Sequence, residues 1–302
     1  MTVIIAFLAN IVVAVAKTVA AAITGSASMV AEATHSWVDA GNEIFLLIAE
    51  RRSARPRDAQ HPLGYGREAF VWSLFAAVGI FTAGAVVSIM HGVQELSNPE
   101  PVESPLVAYI VLGVSFVFEG ASFVQGIGQA RQQARQRGVR TMDVVLNGSD
   151  ATLRAVVAED FAALIGVLLA AGSIALHQIT GNPVFDAIGS ILIGILLGVV
   201  AVVLIDRNRR YLVGANSTAA VRTMAGRALL SQPEIARVTY LHLEYVGPKR
   251  LFVVAGVDLE GDASEHEIAE RLRHIAQRIE ENEFVETAVL GLSTRDEPSL
   301  RF

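Results

Sequence analysis

A histidine and an aspartate stand one helical turn apart in the middle of a membrane-length apolar segment: His35 and Asp39, in the run AEATHSWVDAGNEIFLL. On a helix, residues i and i+4 stack on one face. A second acidic pair, Glu159-Asp160, interrupts another apolar segment, RAVVAEDFAALIGVLL. An ionisable group near the centre of a bilayer costs about 3 kcal/mol on insertion scales. These four groups therefore need a partner, and a divalent metal ion satisfies imidazole and carboxylates together. The rest of the chain fits a membrane setting. Of its 302 residues 52% are hydrophobic and the mean hydropathy is +0.47, too apolar for an ordinary soluble protein. Cysteine is absent, which excludes a disulfide framework and any thiolate metal site.

Six segments are long enough to span a bilayer, which takes about 20 apolar residues. They are expected near 2–23, 28–50, 69–94, 105–128, 153–177 and 184–205. Breaks with Gly or Pro turn chemistry separate them, at Thr24-Gly25-Ser26, Ser97-Asn98-Pro99-Glu100-Pro101 and Thr180-Gly181-Asn182-Pro183. Met1 leads straight into the first apolar run, without a charged n-region or a small-residue cleavage pattern. The first segment is thus expected to be a retained membrane helix. Arginines then orient the bundle. The loop after the second segment holds Arg51, Arg52, Arg55, Arg57 and Arg67, that after the fourth holds Arg131, Arg135, Arg137 and Arg140, and the exit of the sixth holds Arg207, Arg209 and Arg210. The opposite loops carry no Lys or Arg, and one carries Glu100 and Glu103. Positive charge marks the cytoplasmic side, so both termini are expected there. These arginines also suit anionic lipid. Lysine occurs only as Lys17 and Lys249, a coding bias of GC-rich genomes, and the expected location is a bacterial plasma membrane.

The composition changes near residue 213, so the expected domains are 1–212, a six-helix transmembrane domain, and 213–302, a cytoplasmic one. In the latter, Ser217 is placed to cap a helix through about 231. VTYLHLEY (238–245) and RLFVVAGVDL (250–259) read as strands joined by Val246-Gly247-Pro248-Lys249. Ser264-Glu265-His266-Glu267 is a capping box opening a helix to about Glu281, and VETAVLGLS (285–293) is a third strand. The order α-β-β-α-β predicts a small α+β, ferredoxin-like domain. Such a core is marginal alone, which favours packing against a twin copy.

This combination resembles the cation diffusion facilitator family. The most specific stretches are GSASMVAEATHSWVDAGNE (25–43) and HPLGYGREAFVW (61–72), and the resemblance covers essentially the whole chain. It implies a proton-coupled exporter of zinc or a related divalent metal, usually a homodimer. The family's second-helix motif lands on His35 and Asp39. Its fifth-helix motif, His followed four residues later by Asp, finds Asp160 in the Asp position but Val156 in the His position. An acidic pair without that histidine is similar to the subgroup typified by the animal zinc transporter 9.

The candidate metal ligands are His35, Asp39 and Asp160, with the fourth from Glu159, which lies near the face Val156 vacates, or from Asn42, one turn beyond Asp39. A site of one imidazole and several oxygens is hard enough for manganese or iron(II), and cobalt remains open, although the resemblance favours zinc. The competing reading of His35 and Asp39 is a hydrogen bond stapling helices, and that of Glu159 an ion pair with Arg154. Glu119 is a candidate proton-relay group or a helix-packing one. Asp186, near the outer end of the sixth segment, is read as an exposed structural carboxylate, and His91 and His177 as interfacial. The resemblance also implies a second metal site between the second and third segments. Only Asp58 and His61 remain there as ligands, and Tyr65 stands where relatives often carry a histidine. In the C-terminal domain His242 is kept, but Val254-Ala255 and Leu292-Ser293-Thr294 stand where relatives carry histidines. That domain therefore reads as a dimerisation module.

Imidazole and carboxylates bind either metal or protons, which permits antiport without ATP. No GxxxxGK[ST] loop occurs. An intramembrane metalloenzyme is disfavoured: no HExxH and no catalytic Ser or Cys arrangement is present. The alternative is a non-transporting membrane scaffold or regulator with the same fold. The expected partners are the cation, protons, the lipid bilayer and a second copy of the chain. No prosthetic group and no nucleic acid are expected.

Overall fold

The computed structural model describes residues 2–99, 102–214 and 216–302. Met1, and Glu100 and Pro101 of the break after the third segment, lie outside the described residues. The chain divides into two compact units, one of residues up to Ala49 together with Val71–Asn208, the other of Glu50–Phe70 together with Arg209–Phe302.

The first unit is helical. Helix α1 (Thr2–Thr24) turns at Gly25, in the left-handed conformation at φ +62°, into α2 (Ala27–Ser53). A side chain there would be strained, so glycine suits the tight turn. Helix α3 (Glu68–Ala76), a π-helical turn (Ala77–Phe81) and α4 (Thr82–Ser97) run end to end. Helix α5 (Pro105–Arg137), the short α6 (Thr141–Asn147), α7 (Ala151–Thr180) and α8 (Val184–Leu212) follow. Among the described residues, four stretches are long and apolar enough to cross a membrane: Glu68–Ser97, Pro105–Gln136, Ala151–Thr180 and Val184–Leu212. Helices α1 and α2 have 23 and 27 residues, but α2 carries Glu32, His35, Asp39 and Glu43 along its length.

The arginines expected in loops mostly stand on helices. Helix α5 continues beyond the apolar run through Arg131 and Arg135, because Ala130 and Ala134 pack against Val144 and Val145 of α6 and Leu153 and Val157 of α7. Arg209 and Arg210 lie in the last turn of α8, and Arg51 and Arg52 in that of α2, where the negative end of the helix dipole favours cations.

Two clusters hold the helices around the candidate site. In one, Val38 and Leu46 of α2 meet Ala77 and Phe81 of the π-turn, Ala155 and Ala162 of α7, and Leu197 and Leu204 of α8. In the other, Ala20 of α1, Met29 of α2, Leu112 of α5, Val167 and Ile174 of α7, and Ile193 of α8 pack together. Small residues let the backbones approach, the usual packing device of membrane helices. The π-turn was not legible in the sequence. It faces α2 beside the candidate site: Ile80 Cδ1 would lie 3.0 Å from a side chain at Gly41.

The second unit holds α9 (Ala219–Leu230), β1 (Ile235–Gly247), β2 (Arg250–Leu259), α10 (Glu265–Glu280) and β3 (Val285–Leu292). The sheet order is β1-β2-β3, antiparallel between β1 and β2 and parallel between β2 and β3. The capping box is present, with Ser264 and Glu267 exchanging bonds. The cap of α9 is Thr218, not Ser217; its hydroxyl accepts from Val221 N. Residues 50–70 pack on this unit. A Cβ at Gly66 would stand 2.5 Å from the Val246 carbonyl oxygen and 2.7 Å from Gly247 Cα. Arg67 donates to Glu244 at 2.5 Å, Arg57 to Thr287 at 3.2 Å, and Phe70 stacks on Tyr211 with ring centroids 5.0 Å apart. The glycine and arginine of HPLGYGREAFVW thus serve contact with the β1–β2 hairpin.

Candidate metal-binding site

Helix α2 supplies the core of the site, because its period places charged and amide side chains on one buried face. Glu32, His35 and Asn42 are at most 1% exposed and Asp39 is 8% exposed. His35 Nε2 lies 3.6 Å from Asp39 Oδ1, too far for a hydrogen bond. Among the described residues neither ring nitrogen has a hydrogen-bond partner, and neither has Asp39 Oδ1. The stapling hydrogen bond considered for this pair is therefore absent. Buried polar atoms are almost always bonded, so three unpartnered atoms this close together on one helix face stand out.

Helix α7 supplies the acids. Glu159 is buried and accepts a hydrogen bond from Asn42 Nδ2, so the two alternatives for the fourth position are partners of each other. The proposed ion pair between Glu159 and Arg154 is not formed. Arg154 is buried and donates to the Gly148 carbonyl at 2.8 Å and to Asn208 Oδ1 at 2.9 Å, and Asn208 donates to Ser73 Oγ at 2.8 Å. Asp160, 9% exposed, accepts from Ser122 Oγ of α5 at 2.7 Å. Among the described residues, no three His, Cys, Asp or Glu side chains already converge into a coordination shell.

Several residues beside the site were not singled out in the sequence. Lys17 of α1 is 1% exposed, donates to Glu32 Oε2 at 2.9 Å and lies 3.8 Å from Glu119 Oε1. Glu119 thus faces the lysine. Glu43 accepts from Asn10 of α1 at 2.8 Å. Gly166 of α7 leaves room: the atoms nearest to where its side chain would stand are Glu32 Oε1 and His35 Nδ1. Lys17, Glu32 and Glu43 were detectable by the signal that found Asp39, a charge inside an apolar run; Ser122 and Gly166 carry no such mark.

At the other end of α2, Asp186 is not exposed. It is 2% exposed and accepts from Ser26 Oγ at 2.9 Å, Ala27 N at 2.5 Å, Ser28 Oγ and Ser173 Oγ. It caps α2 from a different helix, because the first turn's N–H groups otherwise have no acceptor. His177 is likewise buried, and its Nδ1 lacks a partner; His91 is partly buried.

Asp58 and His61 belong to the second unit. Asp58 Oδ1 accepts from the backbone N–H of Gln60 and of His61, and its Oδ2 from Tyr65 OH at 2.7 Å. Tyr65 leads in holding the Asp58 carboxyl below the usual carboxylate range. Asp58 therefore organises the turn. His242 on β1 faces Glu244 at 3.8 Å.

The profile of the cation efflux transmembrane domain matches residues 3–213. Metal tolerance protein C4 of Arabidopsis thaliana is 38% identical over 77% of this chain and 51% of its own length. The human protein named proton-coupled zinc antiporter SLC30A9, mitochondrial, is 35% identical over 79% of this chain and 42% of its own. The cation-efflux pump FieF of Cronobacter sakazakii is 30% identical over 42% of this chain and 43% of its own. The chain thus spans about half the length, or less, of these relatives. With the motif pair on α2 and the acids on α7 inside the matched region, the chain belongs to the cation efflux family, the cation diffusion facilitators.

Proposed function

We propose that this chain exports a divalent cation, zinc first, across a membrane in exchange for protons. The observation that carries the reading is the buried set His35 Nδ1, His35 Nε2 and Asp39 Oδ1 on α2, without hydrogen-bond partners, with Glu159 of α7 bonded to Asn42 of α2. The names of the relatives support zinc and proton coupling. The ligands are His35, Asp39, Asp160 and Glu159, and Asn42 holds Glu159 in place. Small movements of α2 against α7 close the shell on the cation. Protons take the emptied groups, because imidazole and carboxylates bind either. Six helices, α1 and α2 included, cross the membrane, and both termini lie on the cytoplasmic side of a bacterial-type plasma membrane, in line with the arginines at the ends of α2, α5 and α8. Residues 213–302 form a cytoplasmic domain that pairs two copies into a homodimer.

The test is flux. Purified full chain in sealed vesicles is given zinc, manganese, iron(II), cobalt or nickel outside, with an imposed proton gradient and clamped voltage. The expected result is uptake of zinc that follows the proton gradient. Folded protein that binds zinc but moves none of the metals would overturn transport and leave the scaffold reading.

A further inference from the structure

Lys17 is the feature that the proposed mechanism does not use. It is among the largest fully buried side chains, inside α1, next to a site meant for a cation. An ammonium there repels a metal ion, so its presence needs a reason beyond helix packing. It donates a hydrogen bond to Glu32 at 2.9 Å and forms a looser ion pair with Glu119 at 3.8 Å. These lie on α2 and α5, so one side chain ties three helices together. Only Glu32 Oε2 is bonded. Glu32 Oε1 is buried without a hydrogen-bond partner among the described residues, and it and His35 Nδ1 are the atoms nearest to where a Cβ on Gly166 would stand. One oxygen of Glu32 is thus held by the lysine while the other stands beside the candidate metal ligand.

Resting on the metal-site reading above, we infer that Lys17 is a specificity-determining residue: a tethered cation that keeps Glu32 from joining the cargo's shell. Oxygen-rich shells suit manganese, whereas imidazole with few oxygens suits zinc. A carboxylate released from Lys17 turns toward His35, adds an oxygen donor and shifts the site toward the harder ion. Lys17 does not touch the cargo; it acts through Glu32.

The experiment compares Lys17→Met with two double variants, Lys17→Met/Glu119→Gln and Lys17→Met/Glu32→Gln. Both doubles leave the triad with one net negative charge, as in the wild type, and they differ only in which carboxylate remains. Zinc and manganese affinities are measured by calorimetry on the detergent-solubilised full chain. The zinc-over-manganese ratio is expected to fall by about tenfold or more, the scale on which partners of metal ligands act, in Lys17→Met and in the double that keeps Glu32. The double that lacks Glu32 is expected to return to the wild-type ratio, which a loss of packing alone would not do. Should Lys17→Met fail to fold, the two charge-matched doubles decide. Equal ratios in the two doubles would overturn the inference, as would an unchanged ratio in a folded Lys17→Met. Wild-type protein that binds zinc without transporting it would fail the transport reading and leave this one standing.

Discussion

The bond between Asn42 and Glu159 makes a sharp test of the site, because it joins the motif helix to the acidic one. In Glu159→Gln the side chain keeps its length and an oxygen for Asn42 Nδ2 but loses its charge. Losing even a partner of a metal ligand costs about 10–100-fold in affinity, or about 1.4–2.8 kcal/mol, and the ligand's own charge is worth at least as much. Glu159→Gln is therefore expected to weaken metal binding by about 10–100-fold or more. Asn42→Ala removes only the group that orients Glu159, and the expected loss is about tenfold, at the lower end of the range for partners of metal ligands. A third variant addresses the vacated histidine position. Val156 lies one turn before Glu159 and Asp160 on α7 and packs against the cluster that contains Val38 and Ala155. In Glu159→Ala, replacing Val156 by His is expected to restore zinc binding more than manganese binding, since imidazole favours zinc. The assay is equilibrium binding of both metals to full-length protein in detergent, with monodispersity as the check on folding. Glu159→Gln protein that binds zinc within about twofold of wild type would refute Glu159 as a ligand, since that change is well under 1 kcal/mol.

Other expectations follow from particular contacts. Asp39→Ala and Asp160→Ala are each expected to abolish zinc uptake while preserving membrane insertion, and near-normal flux in either would remove that residue from the site. Asp186→Ala leaves the Ala27 N–H and the Ser26 and Ser28 hydroxyls without their acceptor. At about 1–3 kcal/mol for a buried group left unsatisfied, a clear drop in thermal midpoint is expected, and an unchanged midpoint would argue against the cap. Gly66→Ala drives a methyl group into the Val246–Gly247 backbone, so hydrogen exchange of residues 61–67 should quicken; exchange at the wild-type rate would show that the contact is dispensable. In the second unit, Ser264 leads in holding the Glu267 carboxyl below its ordinary value through its backbone N–H and hydroxyl. A carboxylate depressed on folding stabilises above its unfolded value and loses that contribution as pH falls through the folded one. The protection of the first turn of α10 against exchange, taken relative to the intrinsic rate at each pH, should therefore fall as pH drops below the ordinary glutamate range, and Ser264→Ala, which removes the hydroxyl but keeps the backbone N–H, should weaken this pH dependence without abolishing it.

What the sequence determined by itself was whatever rests on local pattern. Apolar length and period set the helices, Gly and Pro set the breaks, and the capping box set the start of α10, because these depend on neighbours along the chain. Charges buried in apolar runs also identified His35, Asp39 and Asp160 as residues needing a partner, since the cost of burial is independent of the fold. Tertiary structure decided which partners they meet. Nothing in the order of residues says that Glu159 faces Asn42 and not Arg154, that Ser122 reaches Asp160, or that Asp186 caps a helix about 160 residues earlier. Each of these is set by how helices rotate and cross, which follows from the packing of small side chains over their whole length. Lys17 shows the difference most plainly. Its burial was readable from the run around it, but its role depends on two carboxylates from other helices arriving within reach of one ammonium, and only the packed bundle brings them there.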